Sequence, residues 1–219
     1  MDDRTIIEYY RKRVAEYDEM YGPPELQADF AWLTQWLQKN VAGTDVLEVA
    51  CGTGHWTKVA SATARRIVAS DINWNLLHAA RQKVEGRDVD FLVADAYNLP
   101  VTPNTFNCGM AHFWLSHVSR SEISSFLKSF CRHFKAGNRI LFIDTKWVEG
   151  YRRPLSRRDE DDNTYQLRTL KDGSQFEILK NYFTGAELAA WLGAFGSVEV
   201  RELTYNWAIS LELHEKNQK

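Results

Sequence analysis

The feature that most constrains the fold is a short apolar run that leads directly into a glycine turn. Residues 46–50 have the length and composition of a parallel strand that is covered on both faces, and Gly52 and Gly54 follow at once. Glycines at such a place allow a sharp turn and let a ligand approach the backbone. The pattern predicts an α/β fold with a ligand site at the carboxyl end of its first strand.

Further strands and helices alternate along the chain. Apolar runs at residues 66–70, 89–94, 106–113 and 139–144 alternate with stretches whose apolar residues recur every three or four positions, at 56–64, 73–84 and beyond Ser119. Five strands alternating with helices imply a doubly wound, mostly parallel sheet with right-handed crossovers. Runs at 197–204 and 207–213 add two strands, and their short connection predicts that they are antiparallel neighbours. We therefore expect a seven-stranded sheet with an antiparallel last strand.

Two segments flank this alternating core. Before it, a stripe of apolar residues at helical spacing over 6–21 predicts one helix, and a second stripe over 26–41 predicts another. After the fifth strand, residues 152–163 are strongly charged and predict an exposed loop. Asp172 and Gly173 then separate two apolar runs, which is typical of a two-residue hairpin turn. Capping boxes at Ser119 with Glu122 and at Thr184 with Glu187 predict two helix starts.

Composition limits the function classes. The chain has 27 Lys+Arg against 29 Asp+Glu and a pI near 6.3, so no global basic field favours nucleic acid. The amino terminus does not resemble a signal peptide, and no run approaches the roughly 18 apolar residues of a membrane span. Three cysteines without a C-x-x-C spacing predict reduced thiols, no disulfide and a cytoplasmic protein.

The glycine turn does not fit a nicotinamide site, because Thr57 stands where the third glycine of G-x-G-x-x-G is expected. Instead Glu48 precedes Gly52 by four residues. The resulting E-x-x-x-G-x-G resembles the first motif of the class I S-adenosylmethionine-dependent methyltransferases. Asp71 ends the second strand 17 residues after Gly54, and Asp95 ends the third, as the resemblance requires. It extends over most of residues 46–213 and implies a Rossmann-like fold with S-adenosylmethionine as cofactor.

The resemblance implies a role for each residue of the cofactor site. Gly52 and Gly54 would make room for the methionine part, while Glu48 would organise the turn and the cofactor amino group. Asp71 would accept the ribose hydroxyls and Asp95 the adenine amino group. The remaining expected cofactor contacts are Ile72 and Ala96 beside the adenine ring, His112 through its backbone, and Tyr17 and Arg13 at the cofactor carboxylate.

The reaction at such a site is in-line methyl transfer, in which positioning and exclusion of water dominate. A base is needed only if the nucleophile arrives protonated. His117, beyond the fourth strand, is the candidate base, with capping of the next helix as the alternative role. Asp144 is a second candidate, or a helix-capping acid. The candidate substrate contacts are Tyr21, Trp114, Trp147 and Tyr151.

The predicted organisation is one methyltransferase domain over residues 1–219. Many members of the family use an N-terminal helix as a lid, and this resemblance assigns residues 1–44 to a helical lid. Residues 45–146 form the cofactor-binding core, 147–182 the loop and hairpin insert, and 183–219 the C-terminal helix with the last two strands. The charged part of the insert is either a second wall of the site or an exposed loop without a ligand role.

The acceptor is expected to be a small, aromatic or apolar metabolite. Residues 111–114 read Ala-His-Phe-Trp, whereas methyltransferases that act on amino groups of nucleic-acid bases carry an Asn/Asp-Pro-Pro-aromatic motif there. No Asp-Asn pair comes directly after Asp144, and the spacing of His112 and His117 does not suit a helical metal site, so we expect no metal. A non-catalytic cofactor-binding protein, an NAD-dependent oxidoreductase and an aminopropyl transferase are the alternatives. The oligomeric state is left as monomer or homodimer.

Overall fold

The computed structural model describes residues 3–214, which form one large and one small β-sheet with helices around them. The strands are β1 (Asp45–Val49), β2 (Arg66–Asp71), β3 (Val89–Val93), β4 (Phe106–His112), β5 (Phe134–Thr145), β6 (Arg157–Arg158), β7 (Thr164–Thr169), β8 (Gln175–Leu179), β9 (Gly196–Glu202) and β10 (Asn206–Leu213). The helices are α1 (Asp3–Lys12), α2 (Gln27–Val41), α3 (His55–Ala60), α4 (Trp74–Lys83), α5 (Ile123–Cys131) and α6 (Gly185–Leu192).

The large sheet has seven strands in the order β3-β2-β1-β4-β5-β10-β9. Strands β1 to β5 pair in parallel, and β10 pairs antiparallel with both β5 and β9. The predicted α/β class, the seven strands and the antiparallel last strand are confirmed. The strand order reverses between β1 and β4, and open α/β sheets bind ligands at the carboxyl ends of the strands at such a point.

Helices cover both faces of this sheet because successive side chains of a strand point to opposite sides. Val46 of β1 lies in the core that α2 covers with Leu33 and Leu37. Its neighbour Leu47 lies in the opposite core, where α5 contributes Phe126. All five side chains are fully buried. Within residues 3–214, no helix is long and apolar enough to cross a bilayer.

The N-terminal segment differs from the single helix that the apolar stripe predicts. α1 ends at Lys12, and a 3-10 helix over Val14–Tyr21 follows after Arg13. The two kinds of helix share a spacing of three residues between side chains on one face, so the stripe does not distinguish them. In the tighter helix Tyr17 and Met20 lie one above the other, and both line a cavity described below.

Three other element boundaries were wrong in the sequence-based prediction. α3 ends at Ala60 instead of residue 64. α5 begins at Ile123, and the predicted capping box is absent: the Ser119 hydroxyl donates to the Glu122 carboxylate (2.8 Å), and the Glu122 amide donates to the Ser119 carbonyl. β5 begins at Phe134, so Gly137 lies inside a long strand instead of ending a helix. The Thr184 and Glu187 capping box is present as predicted.

The insert after β5 forms the small sheet, in the order β6-β7-β8. The predicted hairpin is confirmed as β7 and β8, and β6 adds a two-residue strand at its edge. α1 packs on this insert through a small cluster of Tyr9, Leu170 and Ile178. The N-terminal segment and the insert therefore enclose the carboxyl end of the large sheet from two sides.

Candidate active site

Two adjoining cavities lie at the carboxyl ends of the central strands. The first has a volume of about 390 Å³ and adjoins the glycine turn, and the second has a volume of about 500 Å³ and lies under the insert. Four side chains line both cavities and form the boundary between them: Tyr10, Tyr17, Phe113 and His117. A molecule in one cavity would therefore be separated from a molecule in the other only by this boundary.

The glycine turn after β1 is built from residues with positive φ. Gly52 has φ of 58° and Gly54 has φ of 77°, a region that favours glycine. A Cβ atom on Gly52 would lie 2.6 Å from the Tyr17 hydroxyl oxygen. A Cβ atom on Gly54 would lie 2.7 Å from the Cβ of Ala80 in α4. Gly52 thus admits Tyr17 to the site, while Gly54 lets α3 and α4 pack closely.

Glu48 lies beneath the turn and is only 1% exposed. Its Oε2 accepts a hydrogen bond from the Thr57 hydroxyl (2.7 Å). Burial raises the pKa of Glu48 to about 7, against the opposing effect of that hydrogen bond. Thr57, the residue in place of the third glycine, therefore serves to hold this carboxyl group. Neither Glu48 nor the two glycines line the cavities, so their influence on a ligand in the first cavity passes through the turn.

Asp71 ends β2 and faces the first cavity. Its Oδ2 accepts from the Gly52 amide (3.0 Å) and its Oδ1 from the Asn73 amide (2.8 Å). Burial raises its pKa to about 6, while these backbone donors favour the ionised form. A carboxylate oxygen has two lone pairs, so both oxygens keep the capacity to accept a further hydrogen bond from a ligand.

The wall beyond Asp71 suits a flat, apolar ring with a polar edge. Ile72 is 45% exposed although it lines the first cavity, and Ala96 lies in the same wall. Asp95 is exposed there, and its Oδ1 accepts only from the Tyr97 amide (2.9 Å) among the hydrogen bonds of the described residues. Uncovered apolar surface next to a free carboxylate edge is what an adenine ring and its amino group require.

The two residues predicted to bind the cofactor carboxylate, Tyr17 and Arg13, lie in and directly before the 3-10 helix over Val14–Tyr21, and they differ in which cavities they line. Tyr17 lines both cavities, whereas Arg13 lines the second and not the first. The Arg13 guanidinium lies over the Tyr17 ring at 5.3 Å from its centroid. The helix is anchored by Asp18, which pairs with Lys83 and accepts from the Thr53 hydroxyl (2.6 Å). The turn and the N-terminal segment are thereby joined.

His117 lies at the boundary, and both of its ring nitrogens have partners. Nδ1 is 2.7 Å from the Leu179 carbonyl oxygen, which can only accept, so Nδ1 carries the proton. Nε2 is 2.8 Å from the Tyr10 hydroxyl and accepts from it. Burial, with a further contribution from nearby Lys180, lowers the pKa of His117 to about 3. The imidazole is therefore neutral at physiological pH.

Asp144, the other candidate base, is fully buried at the end of β5. It accepts from the Ser116 amide (2.9 Å), which belongs to a short 3-10 helix over Leu115–His117. Its Oδ1 lies 3.4 Å from Lys180 Nζ, which also contacts the Ser116 hydroxyl (2.6 Å). Burial alone would raise the pKa of Asp144, but Lys180 and the backbone amides hold it below its ordinary value. Asp144 lines neither cavity.

The second cavity contains residues that sequence reasoning missed. Arg152, Arg168, Gln166 and Tyr182 all line it. Strand alternation places Gln166 and Arg168 on the same face of β7, and two polar residues at that spacing in a hairpin were the available signal. Arg152 lies in the charged loop that predicted an exposed segment, and only the folded chain places it beside β7.

The predicted substrate contacts divide into two groups. Trp114 lines the first cavity and Tyr151 lines the second. Tyr21 lines neither, because it stacks on His55 with ring centroids 3.7 Å apart. Trp147 also lines neither, and its ring packs edge-on against Tyr182 at 5.2 Å. His112 is buried under Trp56 (5.8 Å between centroids), and its side chain likewise lines neither cavity.

No group of three His, Cys, Asp or Glu side chains within residues 3–214 is arranged to hold a metal ion. The cysteines Cys51, Cys108 and Cys131 are free thiols. Burial raises the pKa of Cys51 well above its ordinary value, so this thiol beside the glycine turn is not poised as a nucleophile.

Sequence comparisons find similarity to methyltransferases. A family model described as a methyltransferase domain matches residues 46–137. Demethylmenaquinone methyltransferases of Shouchella clausii (strain KSM-K16) and Bacillus cereus (strain B4264) are each 28% identical over 151 residues, which cover 65% of this chain. The aligned part is 63% of each relative, so the chain matches less than two thirds of their length.

Solved structures extend the similarity to nearly the whole chain. The structure titled "DhpI-SAH complex structure" has a TM-score of 0.79 and 28% identity, covering 96% of both chains. The structure titled "DhpI-SAM-HEP complex" has a TM-score of 0.78 and 29% identity, covering 94% of this chain and 96% of that one. The PH0226 protein from Pyrococcus horikoshii OT3, at 17% identity and a TM-score of 0.71, covers 87% and 92% and shows the shared fold.

Proposed function

We propose that the chain transfers a methyl group from S-adenosylmethionine to a small molecule, on the support of the methyltransferase-domain match over residues 46–137 and of the similarity to the two DhpI structures. The observation that carries this proposal is the pair of cavities with the shared boundary of Tyr10, Tyr17, Phe113 and His117. The first cavity suits the cofactor and the second suits the acceptor. Reaction across the boundary then needs only correct positioning.

The residues of the first cavity fit the cofactor part by part. Asp71 accepts the ribose hydroxyls, and Ile72 with Ala96 covers the adenine ring, whose amino group donates to Asp95. Tyr17 and Arg13 hold the carboxylate at the boundary, where Arg13 is close enough to the Tyr17 ring to act with it. Glu48 keeps the glycine turn in shape, and the His112 backbone closes the end of β4. When bound, the cofactor supplies an electrophilic methyl group on a sulfonium.

The chain's own residues contribute positioning and exclusion of water. α1 and the 3-10 helix act as a lid over the boundary, and Trp114 and Phe113 provide apolar walls that keep water from the reacting atoms. His117 holds the Tyr10 hydroxyl at the boundary. If an acceptor arrives protonated, its proton can pass to the Tyr10 oxygen while the Tyr10 proton moves to His117 Nε2. With a pKa of about 3, His117 is a weak base, which favours an acceptor that is already unprotonated.

Replacement of Asp71 by asparagine tests the cofactor assignment. Asparagine keeps the size but loses the charge, so we expect binding of S-adenosylhomocysteine to weaken by about 10- to 100-fold, the loss of a charge-assisted hydrogen bond. Equilibrium dialysis with labelled S-adenosylhomocysteine measures it. Asp90→Asn is the matched control, because Asp90 is exposed on the neighbouring strand and pairs with Arg66. Equal affinity for S-adenosylhomocysteine in both variants would show that Asp71 does not bind the cofactor. Binding without turnover on any acceptor would indicate a non-catalytic cofactor-binding protein.

A further inference from the structure

The walls of the second cavity carry an excess of positive charge. Four arginines line it, against two glutamates. Glu19 pairs with Lys171, and Glu16 accepts from the Lys171 amide (3.1 Å), so neither glutamate neutralises an arginine by direct contact. The lining arginines are Arg13, which the proposed function assigns to the cofactor carboxylate, and Arg152, Arg153 and Arg168, which have no such assignment.

Arg152 and Arg168 are half-buried and have no carboxylate partner within residues 3–214. Arg152 is held in place by backbone carbonyls: Nε donates to Lys146 (2.9 Å) and Nη2 to Tyr205. Its Nη1 has no partner among the described residues. Arg168 Nε is buried and has no hydrogen-bond partner there either. A buried guanidinium without an anion is costly, so these two groups indicate that a ligand supplies the anion.

The neighbouring polar side chains are also poised for a ligand. Gln166 is fully buried, and its Nε2 donates to the Arg153 carbonyl (2.7 Å) and the Tyr182 hydroxyl (3.0 Å). Its Oε1 is buried without a partner in the described part of the chain. This free acceptor suits a hydroxyl or amino group of the same ligand.

The electrostatics of nearby groups agree with this geometry. Burial lowers the pKa of Lys180 to about 8; Asp144 opposes the reduction, and Arg168 and Arg152 add to it. Burial raises the pKa of Tyr182, and both arginines oppose that rise. Arg152 and Arg168 therefore act on the same small region. Asp144 also lies near this region, but its negative charge is already paired with Lys180.

We propose that the acceptor carries a phosphate or phosphonate group, and that Arg152 and Arg168 bind this group in the second cavity. This inference rests on the proposed function for the identity of the molecule as a methyl acceptor. Guanidinium groups match the geometry of such oxyanions, and two unpaired guanidiniums balance a dianion better than a monocarboxylate. A neutral aromatic or apolar acceptor, which the sequence favoured, would leave both charges buried and unpaired.

Calorimetric titration with simple anions tests the proposal. Methylphosphonate, inorganic phosphate and acetate are titrated into the protein with and without S-adenosylhomocysteine. We expect methylphosphonate and phosphate to bind, and acetate to bind at least tenfold more weakly. Arg152→Gln and Arg168→Gln should each weaken the binding of the two phosphorus oxyanions by about 10- to 100-fold, whereas Arg87→Gln, an exposed arginine outside the cavity, should not.

The outcomes separate this inference from the proposed function. Unchanged S-adenosylhomocysteine affinity in Arg168→Gln, together with lost oxyanion binding, supports both. Failure of S-adenosylhomocysteine to bind the native protein overturns the proposed function, and the titration without it still tests the oxyanion site. The inference is overturned if neither phosphorus oxyanion binds, if acetate binds as well as they do, if both arginine variants bind them normally, or if they compete with S-adenosylhomocysteine.

Discussion

Burial changes the chemistry of single carboxyl groups in this molecule. Glu48 is enclosed beneath the glycine turn with one hydroxyl donor, Thr57, and burial raises its pKa to about 7. Asp71 is close to the turn as well, but two backbone amides donate to it. Two acids 23 positions apart in the chain thus lie at one turn, where burial raises the pKa of both and their hydrogen-bond donors oppose the rise.

Glu48 makes stability depend on pH in a predictable direction. The folded protein keeps the Glu48 proton up to about pH 7, whereas the unfolded chain releases it near pH 4.5. Between these values the folded state binds more protons, so the free energy of unfolding falls as pH rises, by about 3 kcal/mol in all. Glu48→Gln should lose this dependence and be more stable than the native protein above pH 7.

Urea unfolding at pH 4.5 to 8 measures the effect as the difference between variant and native protein. Glu199→Gln is the control, because Glu199 is exposed on β9. Parallel pH curves for the native protein and Glu48→Gln would contradict the account of Glu48 as a desolvated acid.

At the scale of elements, the sequence predicted the strands better than the contacts between segments. The apolar run at residues 46–50 predicted β1, which spans Asp45–Val49, because a short continuous apolar run is typical of a strand that is covered on both faces. The end of α1 was not predictable from spacing, since Tyr10 and Tyr17 keep a common face across the change to a 3-10 helix. Arg152 and Arg168 line one cavity only because the insert folds over the end of the large sheet, and no local sequence pattern predicts that placement.

Close packing of α3 against α4 depends on the absence of a side chain at Gly54. Gly54→Ala would place a Cβ 2.7 Å from the Ala80 Cβ and force a left-handed conformation on alanine. Gly86 has the same φ of 77° but nothing within 4 Å of its Cβ position, so Gly86→Ala carries only the conformational cost of about 1–2 kcal/mol. We expect Gly54→Ala to be less stable than Gly86→Ala by a further 1–3 kcal/mol in thermal or urea unfolding. Equal losses would show that the helices are not in tight contact at this position.

α1 is held to the insert by Tyr9, whose ring lies 5.7 Å from that of Phe176. Because this cluster is small, Tyr9→Ala should release α1 and speed amide hydrogen exchange over residues 3–12 by about tenfold or more. Mass spectrometry of exchanged peptides measures it, and Trp74→Ala, an exposed aromatic on α4, is the control. We also expect weaker S-adenosylhomocysteine binding in Tyr9→Ala. Unchanged exchange in α1 would contradict its role as a lid that the insert holds in place.

At the scale of the whole molecule, the two cavities differ in the charge of the residues that line them. The net charge of −2 hides a cationic second cavity next to a first cavity that is lined by five acidic residues: Asp71, Asp95, Glu122, Asp159 and Asp161. Composition therefore gave no indication of this separation of charge between the two cavities. The first cavity lies at the carboxyl ends of the strands of the large sheet, and the insert contributes Gln166, Arg168 and Tyr182 to the wall of the second.

The measurement that tests the central claim most directly is calorimetric titration of the native protein with S-adenosylmethionine, S-adenosylhomocysteine and NAD in parallel. Asp71, Ile72 and Asp95 around the glycine turn predict that the first two bind at one site per chain with dissociation constants on the order of micromolar and that NAD does not. Binding of NAD alone, or of none of the three, would contradict the assignment of the first cavity to the methyl donor.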